Sequence, residues 1–538
     1  MVFARRSTTL LAAIIASCAM VLSLTACTSD NKTVVDGQTT VTSNSAGGVA
    51  VFTPSDGITL NQQMPLNKWA KLVPDLTKAL VDAGFKKGDI NHTTSDSLDK
   101  QSRAIQDFVV DHLSNNTTDD SGIAIAPDNM TLLVAPVVEA DASTRQYGDY
   151  VSQNLSTNDV TDEGATSDGE SSEDDSSNTE SDSTASDEQA QAVDRLVSSL
   201  KLAKESGMHV VLLGNSIEGY KPDAFVKFSD AQTIGKLQAE KMVSKLKLDK
   251  ASKDNPKYIE VLLPYTAMDE KGNANDSTFA QEAFRGIWQV LGSYYQKGVV
   301  ESPSGTLDGK STENDWQAVA YDAAKEGSTA KVLDKRLAKT DGQSTLTRID
   351  GIITMNDYIA SEVVKELDDL GYTGSAADIN PQITISGIVG NITGKKDLSR
   401  DAVPDPIKSP ENDNANDSSS SDDDADEDTS ASDKDRDSQW PLVTGYGAYV
   451  SNIPSIVNGK QWMTGMEDRQ TIATDIAQAC AKLNKDEALN SMPSIRNSEV
   501  GGVKKIPTIS EPLLAVSASN LKSALIDPGY ISLADAGL

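Results

Sequence analysis

The side chains that carry most enzyme chemistry are few and scattered in this 538-residue chain. Its three histidines, His92, His112 and His209, lie far apart, and none stands at zinc-type spacing from a cysteine. His209 opens the apolar run His209-Val210-Val211-Leu212-Leu213, which suits a core position better than a ligand's role. There is no nucleophile elbow. Gly390-Asn391-Ile392-Thr393-Gly394-Lys395-Lys396 approaches a phosphate loop, but its glycines stand one residue too close. Lys396 also occupies the place of the magnesium-binding Ser or Thr. The expectation is a protein that recognises something and catalyses nothing, with no cofactor and no metal.

The cysteines point to export. Arg5 and Arg6 precede an apolar run, Leu10 to Leu24, that is short for a membrane span. The run ends in Leu24-Thr25-Ala26-Cys27, which resembles the bacterial lipobox. That resemblance implies cleavage before Cys27 and a lipid on its thiol, with several acyl chains giving a stable anchor. Cys18 leaves with the signal, and Cys480 has no partner but shares a helical face with Ile472 and Ile476. An exported chain without disulfides must be held by its core, which this length permits.

The formal charge of −32 is concentrated. Residues 151–190 carry −12 and residues 409–438 carry −10, so 22 of the 32 net negative charges sit in two Ser/Asp/Glu/Asn tracts. Such tracts cannot bury apolar surface and are expected to be disordered insertions. The rest is mildly acidic, which argues against a nucleic-acid partner, since such a binder would carry a basic patch.

Between the tracts, strands and helices alternate. Gly48–Phe52, Met130–Val134 and His209–Leu213 are strand runs, separated by helical stripes that include Leu66, Trp69, Leu72, Val73, Leu76 and Leu80. Pro74 should kink or restart that first helix. The rhythm begins again with Tyr258–Leu263, a helix over roughly 277–295, a short strand at Val299-Val300, a helix from Trp316 to about Leu337, and the strand Ile352–Met355. This order calls for α/β architecture, two doubly wound lobes with parallel sheets covered on both faces.

The joint between the lobes is Phe228-Ser229-Asp230, a strand end and helix N-cap, followed by Gly235-Lys236-Leu237-Gln238-Ala239. It resembles the first crossover of the type I periplasmic sugar-binding proteins, the xylose- and ribose-type solute-binding subunits of ABC importers. Gln461-Trp462-Met463-Thr464 with the helix Thr471–Leu483 resembles the second crossover. Ile506–Ile509 with Pro512–Val516 resembles the closing segment. The resemblance spans about residues 47–535 and implies two lobes joined by three crossovers. Its layout is a signal peptide at 1–26 and a tether at 27–46. Lobe 1 takes 47–228 and 468–507 with the insert 151–190; lobe 2 takes 229–467 and 508–538 with the insert 409–438.

Ligands of open α/β sheets bind beyond the carboxyl ends of the strands. Asn356-Asp357 follows the strand Ile352–Met355 and matches an Asn-Asp of the family's sugar loop, although either residue also suits a helix cap. Trp69 falls where the family often has an aromatic on the sugar, while its apolar stripe makes it core. Arg285, in Phe284-Arg285-Gly286, matches a family pattern that is often structural. Asn215 and Glu139 lie at strand ends of lobe 1, and Tyr446 lies in Gly445-Tyr446-Gly447-Ala448-Tyr449. That segment, or in a second alignment Ser386-Gly387-Ile388-Val389, stands where the family has a Gly-Gln-Asp-x-Asp loop, and both alignments lack its two carboxylates. The family's Asp-Arg pair is replaced by Gly214-Asn215-Ser216.

The function implied is a lipid-anchored extracytoplasmic protein on the cell membrane. It captures a sugar between its lobes and delivers it to ABC permease subunits. The alternative is a sensory or protein-interaction lipoprotein on the same scaffold with a degenerate sugar site.

Overall fold

The computed structural model describes residues 46–55, 64–115, 125–138, 144–156, 180–268, 275–338, 346–377 and 440–538. The expected signal peptide at 1–26, Cys27, Glu139, residues 386–389, the 390–396 loop and the tract 409–438 lie outside the described residues.

The first lobe starts with β1 (Gly48–Pro54), α1 (Trp69–Asp82), β2 (Ile90–Ser95), α2 (Leu98–Asn115) and β3 (Met130–Val134). It continues through β4 (Asn154–Leu155), α3 (Glu180–Glu205), β5 (His209–Leu213), β6 (Ser216–Ile217) and β7 (Ala224–Lys227). The second lobe holds α4 (Ala231–Lys245), β8 (Lys257–Val261), β9 (Leu263–Pro264), α5 (Thr278–Gln296), β10 (Val300–Glu301), α6 (Trp316–Val319), β11 (Ala320–Tyr321) and α7 (Ser328–Arg336). Then come β12 (Gly351–Ile353), α8 (Asp357–Leu370), β13 (Leu442–Tyr446), α9 (Ile453–Val457) and β14 (Met463–Met466). The chain returns to lobe 1 with α10 (Arg469–Leu483), β15 (Ile495–Val500) and β16 (Val503–Ser510), and ends in lobe 2 with β17 (Leu514–Ser517).

The two large sheets have strand orders β15-β16-β7-β5-β3-β1-β2 and β10-β8-β12-β13-β14-β17. Apart from the antiparallel pairs β15·β16 and β14·β17, they are parallel. In both, the second strand of the sheet in chain order lies on one side of the first and the third on the other, the doubly wound order. β3 and β5 are buried along nearly their whole length, as parallel strands between two helical layers must be. Their alternation divides the core. Val51, Leu133, Val211 and Leu213 face α1 and α10, whereas Phe52, Leu132, Val210 and Leu212 face α2 and α3. Cys480 is fully buried in the first of these clusters.

Several expectations are corrected in detail. The first acidic insert is narrower than 151–190, because Val151 and Leu155 are buried, β4 pairs with β6, and α3 begins at Glu180. β16 extends to Ser510 and pairs with β7, so the third passage between lobes is 511–513 and not at 507/508. The helix expected from Trp316 to Leu337 is broken by β11, whose two residues pair with β9. α1 passes through Pro74 as one helix, the proline removing one rung of its backbone ladder.

Candidate functional site

β7 and β14 both end at passages to the other lobe, so the carboxyl ends of both sheets converge on the hinge. The first passage is locked by a capping box at the start of α4. Asp230 accepts from the Thr233 N–H at 2.7 Å, and the Thr233 hydroxyl accepts from the Asp230 N–H at 2.9 Å. Gln238, one turn and a half further on, is fully buried. Its amide donates to the Met355 carbonyl at 3.0 Å and its carbonyl accepts from the Thr444 hydroxyl at 2.7 Å, tying the turn after β12 to the middle of β13. Met355 (φ 68°) and Ala448 (φ 50°) both hold left-handed backbone there. Non-glycine residues pay for that conformation, and it concentrates at binding and switch regions.

Asn356 and Asp357 sit side by side at the end of β12, and both are fully buried. Asn356 Oδ1 caps α8 by accepting from the Ile359 N–H at 2.9 Å, and its Nδ2 donates to Gln146 Oε1 at 3.0 Å. Asp357 is saturated. Its carboxylate accepts from the Tyr449 N–H (2.9 Å), the Thr464 hydroxyl (2.8 Å) and Gln461 Nε2 (2.7 Å). Burial pushes its pKa up to about 6, with these donors pulling the other way. The carboxylate therefore holds the Tyr446–Tyr449 turn in place.

Tyr446 is buried at the hinge, where its hydroxyl meets Ser229 Oγ at 2.6 Å. Asn215 is also buried and consumed by backbone: Nδ2 donates to the Pro136 carbonyl and Oδ1 accepts from the Gln153 N–H, both at 2.9 Å. Trp69 packs edge-on against Tyr150 and Phe228, with centroids 5.1 and 5.7 Å away, as part of the lobe 1 core. Arg285 pairs with Glu282 on the same helix and is not brought to the other candidates. Of the sequence candidates, the structure thus gathers Asn356, Asp357 and Tyr446, and gives Trp69 and Asn215 structural partners.

Residues without a sequence signal pack against these from lobe 1. Gln146 and Tyr147 come from the loop that follows β3, a stretch with no periodicity. The Tyr147 ring lies 4.7 Å from Phe279 and 6.3 Å from Tyr446, and the Tyr449 hydroxyl donates to the Gln146 carbonyl at 2.7 Å. The Leu66 N–H donates to the Gly447 carbonyl at 2.8 Å, a further link between lobes. Glu467 could have been found: it directly follows the late strand recognised at Gln461–Thr464. Among the described residues, no group of three or more His, Cys, Asp or Glu could hold a metal.

No family model matches the chain, and no curated relative matches it. Among solved structures the chain is similar to an ABC transporter solute-binding protein from Clostridium phytofermentans with bound beta-D-glucose. The two share 17% identity over 91% of this chain and 99% of that one, with a TM-score of 0.44. It is similar to a carbohydrate transporter solute-binding protein from Chloroflexus aurantiacus in complex with D-glucose, at 18% identity over 91% and 98% of the two chains, with a TM-score of 0.42. A periplasmic ribose ABC transporter protein from Conexibacter woesei is similar at 12% identity over 90% and 96%, again with a TM-score of 0.42.

Proposed function

We propose that this chain is a lipid-anchored extracytoplasmic solute-binding protein that captures a sugar between its lobes and presents it to the permease of an ABC importer. It carries out no chemistry itself; an ATPase on another chain supplies the energy. The observation that carries this reading is the convergence of the carboxyl ends of both doubly wound sheets on one hinge, with Asn356 at the end of β12 facing the opposite lobe. The sugar class rests on the resemblance of the crossovers and of the Asn356-Asp357 pair, and the anchor on the motif ending at Cys27. Closure around the solute would follow the hinge mechanism of two-lobed receptors.

The second reading, a sensory or protein-interaction lipoprotein with a degenerate site, is favoured by one specific observation. The polar atoms of Asn356, Asp357 and Asn215 all have partners within the chain.

Calorimetric titration of the detergent-solubilised chain with pentoses, hexoses and short oligosaccharides separates the two. Saturable binding of one sugar class, weakened by Asn356→Ala in a variant that stays folded, supports capture. No heat with any sugar, from a protein folded by circular dichroism, sinks it and leaves the second reading.

A further inference from the structure

Between β3 and α3 the chain places a short segment, Thr144–Ser152, across the mouth of the hinge. Its base is held by lobe 1 through Asp149 and Tyr150, while Val151 packs into the lobe 2 core beside the tip. Asp149 accepts from Lys68 Nζ at 2.6 Å and from the Trp69 N–H at 3.1 Å, and the Tyr150 hydroxyl donates to the Lys68 carbonyl at 2.5 Å. The Tyr150 ring stacks on Phe228 at 4.8 Å. Its tip belongs to lobe 2. Tyr147 is 1% exposed and lies within the lobe 2 core cluster, between Phe279 and Tyr446. Gly148 makes the joint between base and tip. Its φ is +102°, and a Cβ there would stand 2.5 Å from the Asn67 carbonyl oxygen.

The tip supplies the groups that a bound sugar would supply. The Gln146 side-chain carbonyl accepts from Asn356 Nδ2, and its main-chain carbonyl accepts from the Tyr449 hydroxyl. A flat ring fills the apolar space beside them. The hold is incomplete, because the buried Tyr147 hydroxyl lies beside Asn356 yet finds no hydrogen-bond partner of good geometry. Two hydrogen bonds, the Tyr147 ring and the Val151 side chain thus hold the segment to lobe 2, while an ion pair and a stacked ring hold Asp149 and Tyr150 to lobe 1.

We propose that Thr144–Ser152 is a resident occupant of the interlobe cleft, an intramolecular competitor whose Gln146-Tyr147 tip must withdraw before a solute can reach Asn356. The proposal deepens the solute-binding reading and rests on it for the identity of the competing ligand. Apparent affinity then equals the intrinsic affinity multiplied by the fraction of molecules with the tip withdrawn. Solute specificity would be set partly by which ligands can outcompete an amide and a phenol ring.

The test compares the full chain with Gln146→Ala and with the milder Tyr449→Phe, which removes one hydroxyl and keeps the ring. D-glucose and D-ribose serve as probes in calorimetry, and small-angle scattering without sugar reports lobe separation. Variants that bind either sugar about tenfold or more tighter than the wild type support the proposal. Binding of equal or weaker affinity in folded variants overturns it while leaving solute capture standing. If no form binds sugar, the solute reading has failed and the scattering decides. A larger radius of gyration in the variants supports an occupant that holds the lobes together, and an unchanged radius overturns it.

Discussion

Glu467 accepts the main-chain N–H of Ser229 at 2.6 Å, so two of the three passages between the lobes are tied directly to each other. Ser229 lies between β7 and α4, and Glu467 between β14 and α10. The Tyr446 hydroxyl, 3.5 Å from the same carboxyl oxygen, closes the triangle through Ser229 Oγ. Any rotation of one lobe against the other has to carry this buried carboxyl with it.

The hinge should therefore respond to pH. Burial raises the Glu467 pKa from 4.5 to about 7, with Asp230 adding to the rise. The folded state then holds a proton that the unfolded chain gives up. The favourable contribution is complete below pH 4.5 and is lost as pH climbs through 7. It amounts to roughly 3 kcal/mol across that window. Glu467→Gln keeps an acceptor for Ser229 and cannot ionise. Urea unfolding at a series of pH values should show wild type losing stability relative to this variant between pH 4.5 and 7. A constant difference across that range would refute the assignment.

Asp357 is a worse probe of ligand binding than its neighbour. Replacing it with alanine strands the Tyr449 N–H and one N–H of Gln461 Nε2 in a fully buried site. The other N–H of Gln461 Nε2 keeps the Met463 carbonyl, and the Thr464 hydroxyl is left only a long contact to the Gly465 carbonyl at 3.4 Å. At about 1–3 kcal/mol for each unpaired group, the loss should be about 3 kcal/mol or more. Asn356→Ala removes a helix cap, which costs about 1 kcal/mol, together with the bond to Gln146. Denaturant midpoints should fall much further for Asp357→Ala. Equal midpoints would mean that the carboxylate does not hold the Tyr446–Tyr449 turn.

The lobes were legible wherever burial on both faces forces an apolar run, as in β3, β5 and β12. β2 was not. Its Ile90-Asn91-His92-Thr93-Thr94-Ser95 forms an edge strand, paired only to β1 and largely exposed, so no hydrophobic pattern marks it. Asn356 was legible because it follows a strand and opens a helix, and both roles leave a local signature. Gln146 and Tyr147 were not, because their partners lie more than a hundred residues away on the other lobe. The acidic tract beside them hid the ordered turn as well, since composition averaged over 151–190 masks Val151 and Leu155.

Two adjacent residues, Arg285 and Gly286, should behave in opposite ways. Arg285 is a charged candidate from the sequence, yet its partner is Glu282 on its own helix and its side chain is 39% exposed. Such a pair contributes about 0–1 kcal/mol, so Arg285→Ala should leave both stability and sugar affinity nearly unchanged. Gly286 faces α4 where the two helices cross. A Cβ there would fall 2.0 Å from the Gln232 carbonyl oxygen, in the first turn after the Asp230 cap. Gly235 meets the Ala283 carbonyl in the same way from the other side, at 2.2 Å, so neither helix can yield without the other. Gly286→Ala must push α4 outward and with it the first passage of the hinge, at a cost of about 1–3 kcal/mol. Denaturant midpoints of the two variants test the contrast. If Arg285→Ala proved the more damaging, or abolished binding in a folded protein, Arg285 would have to face the ligand and the position of α5 against the cleft would need revision.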